Sequence, residues 1–300
     1  MILAKAGELA ALATAVFWTV TAVCFEYAGK RVGTFSLNLL RLIVGFLFLG
    51  FFSFFTRGFF LPLDAGADAW FWLSLSGLVG FVVGDLLLFQ AFILIGARIS
   101  MLIYASVPPL TAVLAWLVFG EIPTFAGLAG MAVTVTGIAL VVLQTRQDGE
   151  GKRELAHPVG GVLFALGGSL GQAGGLIMSK IGAPSYNAFS ATQIRVIAGI
   201  AGFTAVVAVL GRFPRFLAAL KDRKAMGSLS LGAFFGPFLG VSLGLVAVQR
   251  TSAGVASTIM AITPVLIIIP SVLFFHEKIR FREILGALVA VSGVALLFLA

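Results

Sequence analysis

Long apolar runs divide this sequence into ten segments, each separated from the next by a short polar or charged cluster. They lie at roughly 9–28, 36–56, 70–94, 97–118 and 124–143, then 158–180, 187–210, 226–248, 252–274 and 282–299. A spanning helix needs about 20 predominantly apolar residues, and backbone polar groups in lipid must be satisfied inside the segment. The pattern predicts an all-α integral membrane protein with ten transmembrane helices. The third and fourth are parted only by Gly96 and Arg98, so a tight helical hairpin is expected there. The first run is longer than the 7–15 residues of a signal-peptide core and reads as a retained helix. The most polar stretch, 144–157, holds Asp148, Glu150, Lys152, Arg153 and Glu154 with Gly149 and Gly151, and reads as a flexible linker.

The two sides of that linker are copies. At a shift of 156 residues Gly80 meets Gly236, Gly84 meets Gly240, Pro108 meets Pro264 and Glu121 meets Glu277. Gly130 meets Gly286 and Gly137 meets Gly293. Further upstream Arg41 faces Arg195, each followed four residues later by a glycine. Shared Leu and Val follow from composition, whereas shared Gly, Pro and Glu at a constant shift do not. The division is 1–143 for the first five-helix repeat, 144–157 for the linker and 158–300 for the second. Five spans per repeat is an odd number, so the copies enter the membrane in opposite orientations, an architecture recurrent in secondary transporters.

Composition narrows the class further. Of 300 residues 60% are hydrophobic and 11% charged, against about 25% charged in soluble domains. The net charge of +8 would suggest a nucleic-acid partner in a soluble protein. Here the basic residues sit between apolar runs, as membrane-topology determinants do, and no nucleic-acid partner is expected. One cysteine and two histidines leave no basis for a disulfide or a metal centre. No cofactor motif is present.

Several motifs carry a resemblance. They are Phe17 and Trp18 in the first span, Leu40 and Arg41 in the second, and the run from Ala105 to Leu110 in the fourth. Gly120 and Glu121 follow, then Gly130 and Gly137, echoed by Arg195, Ala253, Pro264, His276 and Glu277. The chain resembles the EamA-type permeases of the drug/metabolite transporter superfamily, with His276 where that pattern usually has glycine. The resemblance implies transport of amino acids and other small metabolites without ATP hydrolysis, export before import. The chain has no phosphate-binding G-x-x-x-x-G-K-[ST] loop.

Asp85 is the most informative residue. A charged Asp at a helix centre costs about 2.5–3.5 kcal/mol on insertion scales, so it needs a partner, a wet cavity or a proton. Its counterpart is Val241, so the repeat itself does not demand a carboxylate there. It reads as a proton or cation site, as a contact for a substrate amine, or as a structural carboxyl paired with an arginine. Asn38, Arg41 and Gly45 share a helical face, as do Thr192, Arg195, Gly199 and Gly202. Such stripes face protein or cavity, where the arginines either touch substrate or serve structure and gating. Trp18, Gln90, Tyr104, Gln172 and Gln193 are further candidates for lining a cavity. Pro108 and Pro264 are candidate gating hinges, because proline removes a helix donor. Glu26 with Lys30, Glu121, Glu277, Trp70, Trp72 and the abundant glycines read as structural.

The positive-inside rule favours both termini outside, whereas the resemblance favours both inside. The leading expectation is a secondary transporter in the cell membrane. It would move a small metabolite, an amino acid for example, between the two repeats, with Asp85 available for proton coupling. Partners are a small-molecule substrate and lipid, with the protein a monomer or homodimer. The alternative is a multidrug exporter of hydrophobic cations, with Asp85 binding the cation among phenylalanines.

Overall fold

The computed structural model describes residues 6–120, 122–147, 153–155, 157–250, 256, 259–275 and 279–299. The first half builds α1 (Ala6–Val32), α2 (Thr34–Arg57), α3 (Ala67–Gly77), a π-helical segment Leu78–Gly84, α4 (Asp85–Tyr104), α5 (Val107–Phe119) and α6 (Phe125–Val142). The second builds α7 (Val159–Gly182), α8 (Ala188–Val209), α9 (Phe213–Ala219), α10 (Arg223–Ala233), a π-helical segment Phe234–Gly240 and α11 (Val241–Arg250). It ends with α12 (Thr263–Leu266), α13 (Ile268–Phe275) and α14 (Phe281–Leu299). In the linker, β1 (Thr145–Gln147) pairs antiparallel with β2 (Arg153–Leu155), Thr145 opposite Leu155. The described part of the linker is therefore a ribbon, because its backbone groups pair across the glycine-containing residues that composition alone reads as coil.

Seven helical stretches of the described residues are long and apolar enough to cross a membrane. The longest, Ala67–Tyr104, contains the third expected span and the start of the fourth. Helical geometry fails inside it only at Gly96, with φ 79° and ψ 157°, a conformation that favours glycine. The Ala97 amide just beyond that break donates to Glu26 Oε2 at 2.6 Å, and Lys30 Nζ lies 2.5 Å from Glu26 Oε1. A carboxylate at a helix N-terminus faces the positive end of the helix dipole, so Glu26 does more than pair with Lys30.

The fourth and ninth expected spans are not single helices. The fourth breaks at Ala105 and Ser106, the ninth at Ala261 and Ile262, and these positions are repeat equivalents. Pro108 and Pro264 therefore sit in the first turn of a new helix, where proline is tolerated, rather than kinking a continuous one. The π-helical segments Leu78–Gly84 and Phe234–Gly240 are likewise equivalent at the 156-residue shift. Pro237 lies inside the second and has only Phe81 as counterpart in the first, so proline is not what makes this feature.

The helices pack as an inverted pair. A Cβ on Gly130 would come within 2.7 Å of the Gly293 carbonyl oxygen, and one on Gly137 within 2.7 Å of that of Gly286. The reciprocal distances, from Gly293 to Gly130 and from Gly286 to Gly137, are also 2.7 Å. Numbers rise along α6 as they fall along α14, so the two helices run antiparallel across a pseudo-two-fold axis. Small residues are what allow this backbone approach.

The remaining interface is cross-packed. Gly84 lies against Gly171 and Gln172 of α7, and its equivalent Gly240 lies against Trp18 of α1. A Cβ on Gly199 would meet Phe81 at 3.5 Å, and one on Gly45 would meet Pro237 at 2.9 Å. Each repeat thus inserts its third helix between the first two helices of the other. Phenylalanines fill much of this seam: the rings of Phe52 and Phe189, one from each half, are 4.3 Å apart at their centroids.

Candidate functional site

The polar centre starts on α2. Asn38 Nδ2 donates to the Thr34 carbonyl at 3.0 Å, a bond one helical turn long that orients its amide. Asn38 Oδ1 then accepts from Arg41 Nε at 3.0 Å. Arg41 Nη2 reaches across to Asp85 Oδ2 at 2.6 Å. All three side chains are buried. The Arg41 guanidinium lies over the rings of Phe89, Phe81 and Phe25, at 4.8, 5.6 and 5.7 Å from their centroids. A buried ion pair held among aromatic rings is costly to break, by roughly 3–5 kcal/mol when one partner is removed.

Asp85 owes its position to the π-helical segment. Its amide donates to the carbonyl of Gly80, five residues back, and Val241 repeats this bond to Gly236. The extra residue per turn shifts the side chain's bearing relative to a regular helix, and such π-turns recur at functional sites. The geometry is common to both repeats, whereas the carboxylate belongs to one.

Two adjoining cavities open beside this pair. The first, about 70 Å³, is lined by Trp18, Arg41, Phe81, Asp85, Tyr104, Gln172 and Val241 among others. The second, about 100 Å³, shares Trp18, Met101, Tyr104 and Gln172 with it. The second cavity straddles the pseudo-two-fold axis, because most of its lining residues come in repeat-equivalent pairs. Trp18 is equivalent to Gln172, Tyr104 to Met260, Ala105 to Ala261, Val107 to Thr263 and Pro108 to Pro264, and all ten line the cavity. The two helix breaks therefore meet at this cavity. At the second break, Thr263 Oγ1 donates to the Met260 carbonyl at 2.8 Å, replacing the N–H that Pro264 lacks. At the first, Val107 stands in place of that threonine, and the Tyr104 carbonyl lacks the equivalent donor.

Trp18, Arg41, Asp85, Tyr104, Gln172, Pro108 and Pro264 thus line these cavities, with Asn38 directly behind Arg41. Arg195 and Gln193 line neither. The Gln193 side chain faces the loop after α2, where its Nε2 donates to the Phe60 carbonyl at 2.7 Å. Gln90 Oε1 accepts from Thr34 Oγ1 at 2.7 Å. Glu121 and Glu277 lie outside the described residues. Sequence reasoning did not reach the Arg98–Glu283 pair, which is buried and joins the two halves. Both residues border apolar runs and read as boundary charges.

Outside the membrane-spanning segments, charge pairs join the two halves at the helix ends. Arg31 donates twice to Asp222, at 2.9 and 3.2 Å, and Asp222 caps α10 by accepting from the Ala225 amide at 3.0 Å. The Ala225 amide and then Arg31 hold the Asp222 carboxyl below its ordinary range. Asp64 accepts from Tyr186 at 2.8 Å and pairs with Arg57 at 2.5 Å. Partial burial pushes the Asp64 carboxyl up, but those two partners more than offset it and hold it low.

With the geometry established, comparison with known proteins identifies the family. The EamA-like transporter family model matches twice, over residues 5–143 and 159–299. The chain belongs to the EamA-like transporter family. The double match makes it a duplicated-repeat, multi-pass integral membrane protein of a transporter family. The WAT1-related protein At3g02690, chloroplastic, of Arabidopsis thaliana is 25% identical over 289 residues, covering 93% of this chain. The chain spans 66% of that relative's length. A solved crystal structure aligns at TM-score 0.64 and 18% identity, covering 98% of this chain and 97% of its own, which establishes the fold.

Proposed function

We propose that this EamA-like protein is a secondary transporter of a small metabolite. It spans the cell membrane ten times as two inverted five-helix repeats and works by alternating access. The observation that carries the reading is the cavity on the pseudo-two-fold axis, walled by equivalent residues of both repeats and reached by both helix breaks. Two inverted copies of one asymmetric unit can exchange conformations, and the exchange swaps which side of a central cavity is open. Breaks beside Pro108 and Pro264 provide places where a half-helix can move without losing a full turn of hydrogen bonds.

Asp85 couples the cycle to protons on this reading. A proton on its carboxylate removes the charge that holds Arg41, so the ion pair and the proton compete for one site. The walls suit a metabolite with a polar end, since Trp18, Tyr104 and Gln172 offer hydrogen-bonding groups within apolar surroundings. The engagement of Asp85 by Arg41 counts against a site for hydrophobic cations, which would need that carboxylate free. Resemblance to metabolite exporters supports outward transport. Flux through native protein and Asp85→Asn, each with and without a pH gradient, tests the coupling. A gradient response that disappears in the variant is expected, and unchanged gradient-driven flux would rule out coupling through Asp85.

A further inference from the structure

Buried charges in the described residues form hydrogen-bonded ion pairs, with one exception, although Asp85 also acts on that group across a longer distance. Glu26 is held by Lys30, Arg98 by Glu283 and Arg41 by Asp85. Arg195 is 1% exposed, and its Nε and Nη2 have no hydrogen-bond partner. Its guanidinium rests on the face of Phe81, 4.7 Å from the ring centroid. Asp85 is the carboxylate that acts on it, and that carboxylate is already hydrogen-bonded to Arg41; a buried guanidinium with no acceptor of its own is expensive.

The repeat explains which acceptors are missing. Arg41 uses Nε for Asn38 and Nη2 for Asp85. Arg195 is its equivalent, and the same two nitrogens are the ones left free. Thr192 stands where Asn38 would be, and its hydroxyl donates to the Ala188 carbonyl at 2.8 Å. Val241 stands where Asp85 would be. The second repeat keeps the arginine and omits both acceptors. The Nε and Nη2 edge of a guanidinium is a planar fork that matches the two oxygens of a carboxylate.

The same equivalence indicates when this fork meets the cavity. Arg41 lines the first cavity and Arg195 does not. If the two repeats exchange conformations, Arg195 takes the place of Arg41 in that wall, and Gln172 and Trp18 exchange places beside it. We propose that Arg195 is the binding group for a carboxylate carried by the transported molecule, which supplies the acid that the second repeat lacks. This rests on the transporter reading and adds the substrate class: a small carboxylate, with or without an amine.

The test measures binding rather than flux. Detergent-purified protein is mixed with a panel of aliphatic and aromatic monocarboxylates in a carboxylate-free buffer. Each is set beside the amine and the neutral amide of the same carbon skeleton, and the thermal midpoint is followed. Acids, amino acids among them, are expected to raise the midpoint, and their amines and amides are not. Arg195→Gln removes a buried charge with no acceptor of its own, so its ligand-free midpoint is expected to match or exceed the native one while the response to acids disappears. Arg195→Lys keeps the charge without the fork and should weaken the response at least tenfold in apparent affinity. A response to amines alone, no response to any acid in the panel, or a full response in Arg195→Gln would overturn the assignment. Acid binding without transport in proteoliposomes would leave the assignment standing and sink the transporter reading instead.

Discussion

Arg41 and Arg195 occupy one position in the two repeats, yet only Arg41 has a carboxylate, Asp85, at 2.6 Å. The fold is symmetric and its electrostatics are not. Alternating access between inverted repeats needs the first property, and vectorial use of a proton or a substrate charge needs the second.

The Arg41–Asp85 pair has a thermodynamic signature. Arg41→Gln and Asp85→Asn each leave one buried partner uncompensated, so each is expected to lose roughly 3–5 kcal/mol of stability. The double variant removes both charges together and should be more stable than the sum of the two losses implies. A double-mutant cycle on thermal midpoints in detergent checks this. Additive losses would mean that the pair is not formed in solution.

The α6–α14 contact leaves no room for a side chain at its glycines. Gly137→Leu should force the helices apart and cost at least the 1–3 kcal/mol typical of overpacking. Its pseudo-symmetric partner Gly293→Leu should behave alike. Exposed Gly160, where a Cβ meets nothing within 4 Å, should accept Leu with little effect. The yield of monodisperse protein after detergent extraction reads all three.

The helix breaks can be tuned using the repeat as a template. Val107→Thr should supply the Tyr104 carbonyl with the hydroxyl that Thr263 gives Met260, worth about 1 kcal/mol. Pro109 follows directly, so Pro108→Ala alone still leaves a proline that opposes a continuous helix, and replacing both with Ala restores the two N–H donors. Slower maximal flux with little change in half-saturation is expected for the double variant, and proteoliposome kinetics at several substrate concentrations separate the two effects.

Acid sensitivity should trace partly to Asp222. Its carboxyl is depressed in the folded protein by the Ala225 amide and Arg31. The stability it contributes is present above the ordinary Asp value of about 3.9 and is lost as pH falls through the lower folded value. Asn still caps a helix, so Asp222→Asn keeps the cap while removing the charge and the oxygen that accepts from Arg31 Nε. Thermal midpoints followed down from pH 6 should converge for native and variant protein as pH drops below about 4.

Much of the frame was legible in the sequence. Gly, Pro and Glu at one constant shift revealed the duplication, and the shared face of Asn38 and Arg41 marked a polar wall. Asp85 stood out because an isolated carboxyl in an apolar run needs a reason. The helix breaks were hidden because hydropathy averages over them: a 13-residue α5 joined to the end of α4 has the same mean as one continuous span. The π-helical turns change a hydrogen-bond register and leave no mark on hydropathy. Arg195 read as the repeat partner of Arg41 and Gln193 as a cavity-lining group, but Arg195 lies on Phe81 with Nε and Nη2 lacking hydrogen-bond partners and Gln193 is tied to Phe60. That distinction depends on cross-packing between halves far apart in the chain.

The most direct test of the transporter reading is release from proteoliposomes loaded with a pooled mixture of amino acids and small metabolites. Native protein is expected to release one compound class selectively, faster with a pH gradient, and Asp85→Asn to lose that response. No release of any compound from protein shown to be folded would contradict transport of small metabolites by this cavity.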